Sequence, residues 1–218
     1  MYASALLSPV RHAFTGVADG DHRPGFDTAG AARLIAALDA VGPVRVVSQV
    51  HGARVVRAED ASTSIEADAI VSTLPGIVVA VRVADCVPIL LAAPGAVAAV
   101  HAGWRGTAAD ITRVALRALC SAAGCAPSAV RAAVGPCICG ACYEVGGEVI
   151  DGVAAVAPGA SWRVGERNVD LGEANAAILR HEGAQVERLA LCTRCDARFW
   201  SFRRDGASGG RQVGAIRL

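Results

Sequence analysis

Long apolar runs are missing from this sequence. A helix that crosses a bilayer needs roughly eighteen or more consecutive apolar residues, and the most hydrophobic region is interrupted by Arg82, Asp85, Pro88 and Pro94. The N-terminus also lacks the charged segment and long apolar segment of a signal peptide. We therefore expect a cytoplasmic protein without a membrane partner.

An excess of charge of either sign is also missing. The 218 residues include 21 basic and 20 acidic side chains, which gives a net charge of +1. No segment concentrates enough positive charge to follow a phosphate backbone, so nucleic acid is not an expected partner. Repeats, low-complexity tracts and linker-like segments are absent as well. The sequence predicts a single domain over residues 1–218, and its 53% apolar content supplies a sizeable core.

Cysteine, in contrast, is frequent, with eight residues. A chain of this length without an export signal favours reduced thiols, some of them metal ligands, over a disulfide framework. Cys139-x-x-Cys142 and Cys192-x-x-Cys195 have the spacing of half-sites in a tetrathiolate zinc site. The 49 residues between the pairs, 143–191, exceed the length of a compact zinc ribbon. Buried free thiols are therefore the preferred interpretation of these four cysteines.

Hydrophobic periodicity predicts a mixture of helices and strands. Helices are expected at Thr28–Ala40, from a Thr107-x-x-Asp110 capping box to near Gly124, at Glu148–Val156 and at Gly172–His181. Strands are expected at Val44–Val50, 77–83, Pro88–Ala92, Ala96–Val100, Val130–Val134 and Val186–Leu191. Because the order mixes αβ units with hairpins, the sequence predicts an α+β fold rather than a doubly wound sheet.

Cys86 and His101 flank a predicted apolar hairpin. If Pro94-Gly95 forms its turn, paired residue numbers add to about 189, which places Cys86 and His101 on one face as diagonal neighbours. A metal can bridge them there, and His51 ends another β-like run. Two histidines and one cysteine without a fourth ligand match an open catalytic zinc site. Taken singly, each residue favours a structural interpretation, with Cys86 as a small buried core thiol and His101 as a hydrogen-bonded strand-end histidine.

Five successive segments resemble the signatures of one known family. They are QVHGARVV, ADAIVSTLPGIVVAVRVADCVPILL, AAVHAGWRGTAADI, GPCICGACYEVG and CTRCDARFWSFRRDGASGGRQVGAI. They are similar to the YfiH family, long called laccase-domain or polyphenol oxidase proteins and now associated with zinc-dependent purine nucleoside phosphorylase and adenosine deaminase activity. The resemblance implies layered mixed and antiparallel sheets with flanking helices, related to toxin cysteine hydrolases. It also implies one catalytic Zn²⁺ ion on His51, Cys86 and His101.

The resemblance further implies a reaction and its substrates. Phosphorolysis would convert adenosine, inosine or methylthioadenosine-like nucleosides to base and ribose 1-phosphate, with phosphate as co-substrate and adenosine deamination as a second activity. For deamination, zinc would activate water for attack on C6 of adenine. Arg105, at a predicted helix start, is a candidate phosphate ligand, and Arg203 and Arg204 are further candidates. The segment HAFTGVADGDHRPGFD departs from the family pattern, which leaves its substrate contacts open.

Four other side chains have candidate roles with plain structural alternatives. Asp85 is an acid, a base or an orienting group, or else a turn residue. Tyr143 and Glu144 follow a glycine-rich loop and are candidates for nucleoside contacts, or else a core tyrosine and a surface glutamate. Gln49 shares the face of His51 or caps a strand edge.

Three other functions remain open at this point. Cys86 as nucleophile and His101 as base would make a metal-free hydrolase that edits a peptidoglycan precursor. A copper polyphenol oxidase is disfavoured, because the only methionine is Met1 and no further histidine cluster is present. A partner-binding protein without catalysis would leave the clustered ligands and Arg105 without a purpose.

Overall fold

The computed structural model describes residues 1–23 and 28–218. Its strands are β1 Arg11–Phe14, β2 Val44–Arg45, β3 Val55–Arg57, β4 Ala69–Ser72, β5 Val78–Val83, β6 Val87–Ala93, β7 Ala96–Ala102, β8 Arg131–Val134, β9 Arg163–Val164, β10 Asn168–Val169, β11 Gln185–Arg188 and β12 Gln212–Arg217. Its helices are α1 Thr28–Ala37, α2 Trp104–Ala108, α3 Ile111–Ala123, α4 Gly147–Ala154, α5 Leu171–His181 and α6 Phe202–Asp205.

Two mixed sheets form the centre of the fold. One has the strand order β1-β12-β5-β2, and the other has the order β11-β8-β6-β7-β4-β3. In the larger sheet β6, β7, β4 and β8 pair antiparallel, whereas the outer strands β11 and β3 pair parallel to their neighbours. The α+β fold with mixed and antiparallel sheets is therefore confirmed.

Alternating side chains of the strands fill two different layers. Leu90 and Ala99 of the β6–β7 hairpin pack with Val79 and Ile216 of the smaller sheet. Neighbouring positions such as Ile89 and Val100 point to the opposite face and pack against α3, α4 and α5. Helix α1 covers the outer face of the smaller sheet. The resulting layers are helix, sheet, sheet and helices, and burial on both faces explains why these strands are almost continuously apolar.

Most predicted elements exist, with shifted boundaries. The expected strand Val44–Val50 is regular only at Val44–Arg45, and helix α1 ends at Ala37 rather than Ala40. The predicted capping box was wrong. Thr107 lies inside the short helix α2, and Asp110 takes a left-handed conformation before α3 without capping it through its side chain. Within the described residues, no helix combines the length and the apolar character needed to span a bilayer.

Candidate active site

The β6–β7 hairpin positions Cys86 and His101 at its open end. Gly95 supplies the positive φ of the turn, and Pro88 pairs with His101 in the predicted register. Cys86 immediately precedes β6 and is half-buried, while His101 is 2% exposed. Their metal-binding atoms and that of His51 all lie within 4.8 Å of one another. The sequence-based prediction that this hairpin brings a thiol and an imidazole to one face is therefore confirmed.

Asp68 organises both histidines from beneath. This fully buried carboxylate accepts a hydrogen bond from His101 Nδ1 at 2.7 Å, which leaves Nε2 of that ring available as a ligand. It also accepts from the backbone nitrogens of His51 at 3.0 Å and Gly52 at 2.7 Å. A carboxylate behind a ligating histidine orients the ring and increases its basicity. Sequence reasoning missed Asp68, although a lone acid at the start of an apolar strand was a usable signal.

His51 completes the cluster from a strained turn. Its φ is +62°, and its exposed ring stands edge-on to His101 with the ring centroids 4.8 Å apart. Its Nε2 lies 3.8 Å from Cys86 Sγ. Gly103 leaves space for the His51 ring and the Cys86 thiol because it has no side chain. A Cβ there would lie 2.7 Å from His51 Cδ2 and 3.1 Å from Cys86 Sγ. Two nitrogen donors, one sulfur donor and this clearance form a metal-binding site.

The pKa values of Cys86 and His101 move in opposite directions. Burial alone would raise the pKa of the Cys86 thiol, but the charge and hydrogen bonds of the neighbouring histidines outweigh it and lower that pKa to about 6. Burial alone would lower the pKa of His101, but the Cys86 thiolate and Asp68 raise it to about 9. Cys86 is thus a thiolate at neutral pH, the form that binds metals. A metal must displace the Nε2 proton of His101, because the ligand is neutral imidazole.

A cavity of about 710 Å³ opens above the three donors. All 21 basic side chains of the sequence are arginines. The cavity is lined by five of them, which are Arg23, Arg82, Arg105, Arg203 and Arg211. Among the described residues of its wall, Asp85 is the one carboxylate. The wall is therefore strongly cationic, and a concave cationic surface with apolar walls attracts anions.

The predicted phosphate candidates separate into cavity and structural residues. Arg105 is exposed in α2, stacks on the Trp104 ring at 4.4 Å and lines the cavity. Arg203 lines the cavity beneath the Tyr143 ring, with its guanidinium carbon 5.2 Å from the ring centroid. Arg204 points elsewhere, since it forms an ion pair with Asp205 and donates to backbone carbonyls. Arg105 and Arg203 are thus brought together, and Arg204 is not.

Asp85 holds the cavity wall in place. One of its carboxylate oxygens accepts from Thr193 Oγ1 at 2.6 Å, and the other accepts from Ser201 Oγ at 3.1 Å and the Arg203 nitrogen at 2.6 Å. Its φ of +81° is costly for a residue other than glycine, so these contacts must stabilise it. Because both carboxylate oxygens accept hydrogen bonds within the protein, the geometry favours a positioning role for Asp85.

The remaining predicted residues also differ in their contacts. Tyr143 lines the cavity, and burial raises the pKa of its hydroxyl to about 12, so that it stays a neutral donor. Glu144 is exposed and forms an ion pair with Arg167. Gln49 lines the cavity, but its amide nitrogen and oxygen both bond to the backbone of Arg82, at 2.7 and 2.8 Å.

Several cavity residues escaped the sequence reasoning. Arg82 and Arg211 come from β5 and from the start of β12, and Phe202 is a 52% exposed aromatic at the cavity. No motif signalled them, because Arg82 and Arg211 come together only through the pairing of β5 with β12. In the divergent segment HAFTGVADGDHRPGFD, Arg23 reaches the cavity, and contacts of residues 24–27 lie outside the described part of the chain.

Known proteins resemble the chain over most of its length. A purine nucleoside phosphorylase from Deinococcus radiodurans is 42% identical over 195 residues, which cover 86% of this chain and 75% of that protein. Adenosine deaminase RL5, from an unknown prokaryotic organism, is 38% identical over 161 residues, or 68% of this chain and 61% of that protein. The crystal structure of YlmD from Geobacillus stearothermophilus superimposes with a TM-score of 0.79 at 32% identity and covers 90% of this chain and 83% of that one.

A family model agrees with these similarities. The model described as multi-copper polyphenol oxidoreductase laccase matches residues 16–218, which include the three metal donors and all five arginines of the cavity. This match, the 42% identity to the Deinococcus protein and the fold shared with YlmD together show that the chain belongs to the YfiH or laccase-domain family.

Proposed function

We propose that this protein is a zinc-dependent enzyme of purine nucleosides, which cleaves adenosine or inosine with phosphate and also deaminates adenosine. The observation that carries the proposal is a group of three metal donors at the base of a cavity rich in arginine. Relatives named purine nucleoside phosphorylase and adenosine deaminase support both activities. The chain would act as one catalytic unit, since Arg23 and Arg211 line the same cavity.

Zinc is the metal that this donor set suits best. His51, Cys86 and His101 would hold it, and three protein ligands of the nitrogen and sulfur type are typical of catalytic zinc. When bound, zinc supplies Lewis acidity and a water of lowered pKa near neutral pH. In the described part of the chain, the other group of possible ligands contains only cysteines, so a multi-histidine copper centre has no donors there.

The arginines provide the second requirement, an anion site. In phosphorolysis, a phosphate oxygen bonds to C1′ of the ribose while the bond from C1′ to the purine nitrogen breaks. Arg105 and Arg203 would orient the phosphate, because a guanidinium offers paired donors to its oxygens. Among the described carboxylates, none forms an ion pair with either of these two side chains. Their charge is therefore available to a substrate.

Aromatic side chains provide a place for the base. Tyr143, Trp104 and Phe202 line the cavity, and its volume of about 710 Å³ lies in the range usual for small-molecule sites. We expect the purine to pack against these rings, with the neutral Tyr143 hydroxyl as a hydrogen-bond donor. Gln49 and Asp85 would act indirectly, by holding Arg82 and the loop around Arg203.

The hydrolase alternative uses part of the same cluster. A nucleophilic Cys86 with His101 as base also agrees with a thiolate at neutral pH. Asp68 would orient His101 in that mechanism as well, but the mechanism needs only one histidine near the sulfur, whereas two are present. The second imidazole favours a metal ligand set. The peptidoglycan-editing hydrolase therefore remains the second candidate.

Product analysis tests the proposal. Protein of measured zinc content is incubated with adenosine, with and without phosphate, and the products are separated by chromatography. Phosphate-dependent adenine is expected from phosphorolysis, and phosphate-independent inosine from deamination. Cys86→Ala should abolish both products together with the zinc ion held by His51, Cys86 and His101. If neither product forms while zinc is bound, the purine proposal is wrong.

A second variant isolates the anion site. Arg105→Ala should raise the KM for phosphate about tenfold or more, which corresponds to loss of one charge-assisted contact of 1.5–3 kcal/mol. Deamination should change little, since it uses no phosphate. Arg117→Ala removes an exposed arginine of α3 that does not line the cavity and serves as the matched control. Equal loss of both activities in Arg105→Ala would contradict the assignment.

A further inference from the structure

The two C-x-x-C pairs meet in space at one edge of the larger sheet. Cys139 and Cys142 belong to the first cysteine loop, residues 135–143 after β8, and Cys192 and Cys195 belong to the second cysteine loop, residues 189–195 after β11. Because β8 and β11 are adjacent and parallel, their carboxyl ends lie side by side. The two pairs are thus close in space, although 49 residues separate them in the sequence.

Backbone pairing continues from the strands into both cysteine loops. The Cys137 nitrogen donates to the Leu191 oxygen at 3.1 Å, and the Thr193 nitrogen donates to the Cys137 oxygen at 3.1 Å. These bonds set the two loops in register before any thiol contact is considered. The backbone pairing of the two loops therefore brings the four cysteines together.

The four sulfur atoms are spaced for a single ion. All four Sγ atoms lie within 4.8 Å of one another, and Cys142 Sγ lies 3.1 Å from Cys195 Sγ. Tetrahedral zinc with Zn–S bonds of about 2.3 Å requires sulfur separations of roughly 3.8 Å, which lies between these values. A disulfide would account for only two of the four thiols. An iron–sulfur cluster needs room for several metal and sulfide atoms between its cysteines.

Backbone donors point at the cluster as well. Cys192 Sγ accepts from the Cys195 nitrogen at 3.5 Å and from the Cys139 nitrogen at 3.4 Å, so each loop contributes one donor. Such contacts stabilise negative charge on sulfur, the form that binds a cation. Arg204 donates to the carbonyl oxygens of Thr193 and Arg194 and brings positive charge to the same loop.

We propose that Cys139, Cys142, Cys192 and Cys195 bind a second zinc ion with a structural role. With four protein ligands the site is closed, as structural zinc sites are. It would join the two cysteine loops, which also build the active-site wall. Tyr143 follows Cys142 directly, and Thr193 donates to Asp85 beside the metal donor Cys86. This inference does not depend on the proposed enzymatic activity.

Metal analysis of the full-length protein tests the second site. The wild type is purified with a reductant and without chelator, and its zinc is measured by mass spectrometry. We expect about two zinc ions per chain in the wild type and about one in Cys142→Ser/Cys195→Ser. Cys86→Ala should also keep about one. Cys120→Ser/Cys125→Ser is the matched control, because it removes two thiols outside the cluster, in and just after α3, and should keep both ions.

Alkylation of the native wild type tests the same site without a substitution, so a folding defect cannot affect the result. Cys195 is exposed, so iodoacetamide can reach its thiol unless a metal holds it. We expect the four thiols to be protected before chelation and reactive afterwards, with a lower Tm of the chelated protein. Equal reactivity before and after chelation, a Cys142–Cys195 disulfide in reduced protein, or iron in place of zinc would each overturn the proposal.

Discussion

Replacing Gly103 with alanine tests the arrangement of the three metal donors without removing any of them. The new methyl group would lie 2.7 Å from His51 Cδ2 and 3.1 Å from Cys86 Sγ. The His51 ring must therefore retreat by about 0.7 Å to reach the 3.4 Å of an ordinary contact. Metal–ligand distances tolerate only about 0.2 Å. We therefore expect Gly103→Ala to fold but to bind zinc weakly.

The size of the effect follows from this displacement. Misplacing a catalytic group by about 1 Å can lower the rate about 100-fold, which is about 2.7 kcal/mol of transition-state stabilisation. We predict a loss of this order in kcat/KM for adenosine. The backbone of Gly103 has a φ of −74° and a ψ of 171°, a conformation that alanine adopts easily, so the Tm should change little.

The assay measures zinc content, Tm and both activities in parallel with a matched variant. Gly147→Ala adds the same methyl group at the start of α4, where no atom lies within 4 Å, and should behave as the wild type. If Gly103→Ala keeps its zinc and its full kcat/KM, the three donors do not hold the metal in this arrangement. A large fall in Tm would indicate that the methyl group disturbs the fold instead.

Three further predictions concern the same region and the core. Asp68→Asn weakens the support of His101, so zinc affinity measured by competition with a chelator should fall about 10-fold to 100-fold; unchanged affinity would exclude an orienting role. In chelated protein, the rate of Cys86 alkylation should be half-maximal near pH 6, because the pKa of Cys86 is lowered to about 6. The thiolate is then present above that pH and lost below it. A midpoint near the ordinary value of 9.0 would contradict the stabilisation of the thiolate by the two histidines. Leu116→Ala removes a fully buried side chain of α3, and chemical denaturation should show a loss of about 2–5 kcal/mol in the free energy of unfolding. A loss below about 1 kcal/mol would mean that neighbouring core side chains fill the space left by the leucine.

The β6–β7 hairpin shows how far local sequence reasoning reaches. Pro94-Gly95 marks the turn, and the two-residue side-chain period then places Cys86 and His101 on one face. Both inferences need only neighbours in the chain, and the observed pairing of Pro88 with His101 confirms them. The capping box at Asp110 failed although its cause is also local, because Asp110 takes a left-handed conformation and does not cap α3 through its side chain. Asp110 forms an ion pair with Arg113 at 2.5 Å, a contact that the motif does not reveal.

Side chains joined across the sheets could not be assigned in this way. Asp68 supports His51 and His101 from 17 and 33 residues away, and sequence spacing does not specify either contact. Arg211 reaches the cavity from the start of β12 only because that strand pairs with β5. A carboxylate or guanidinium acquires such a role through burial and charge around it, which depend on packing.

The sequence by itself determined the α+β fold, the apolar strands and the family, together with three metal donors in recognisable motifs. These properties depend on hydrophobic periodicity and on short motifs, which can be read without knowing where a segment lies in the tertiary structure. Only the tertiary structure decided that five arginines surround one cavity and that Cys139, Cys142, Cys192 and Cys195 converge. The parallel pairing of β8 and β11 brings residues that are far apart in the sequence to one edge of the sheet. Their separation along the chain therefore does not predict the distance between them in the fold.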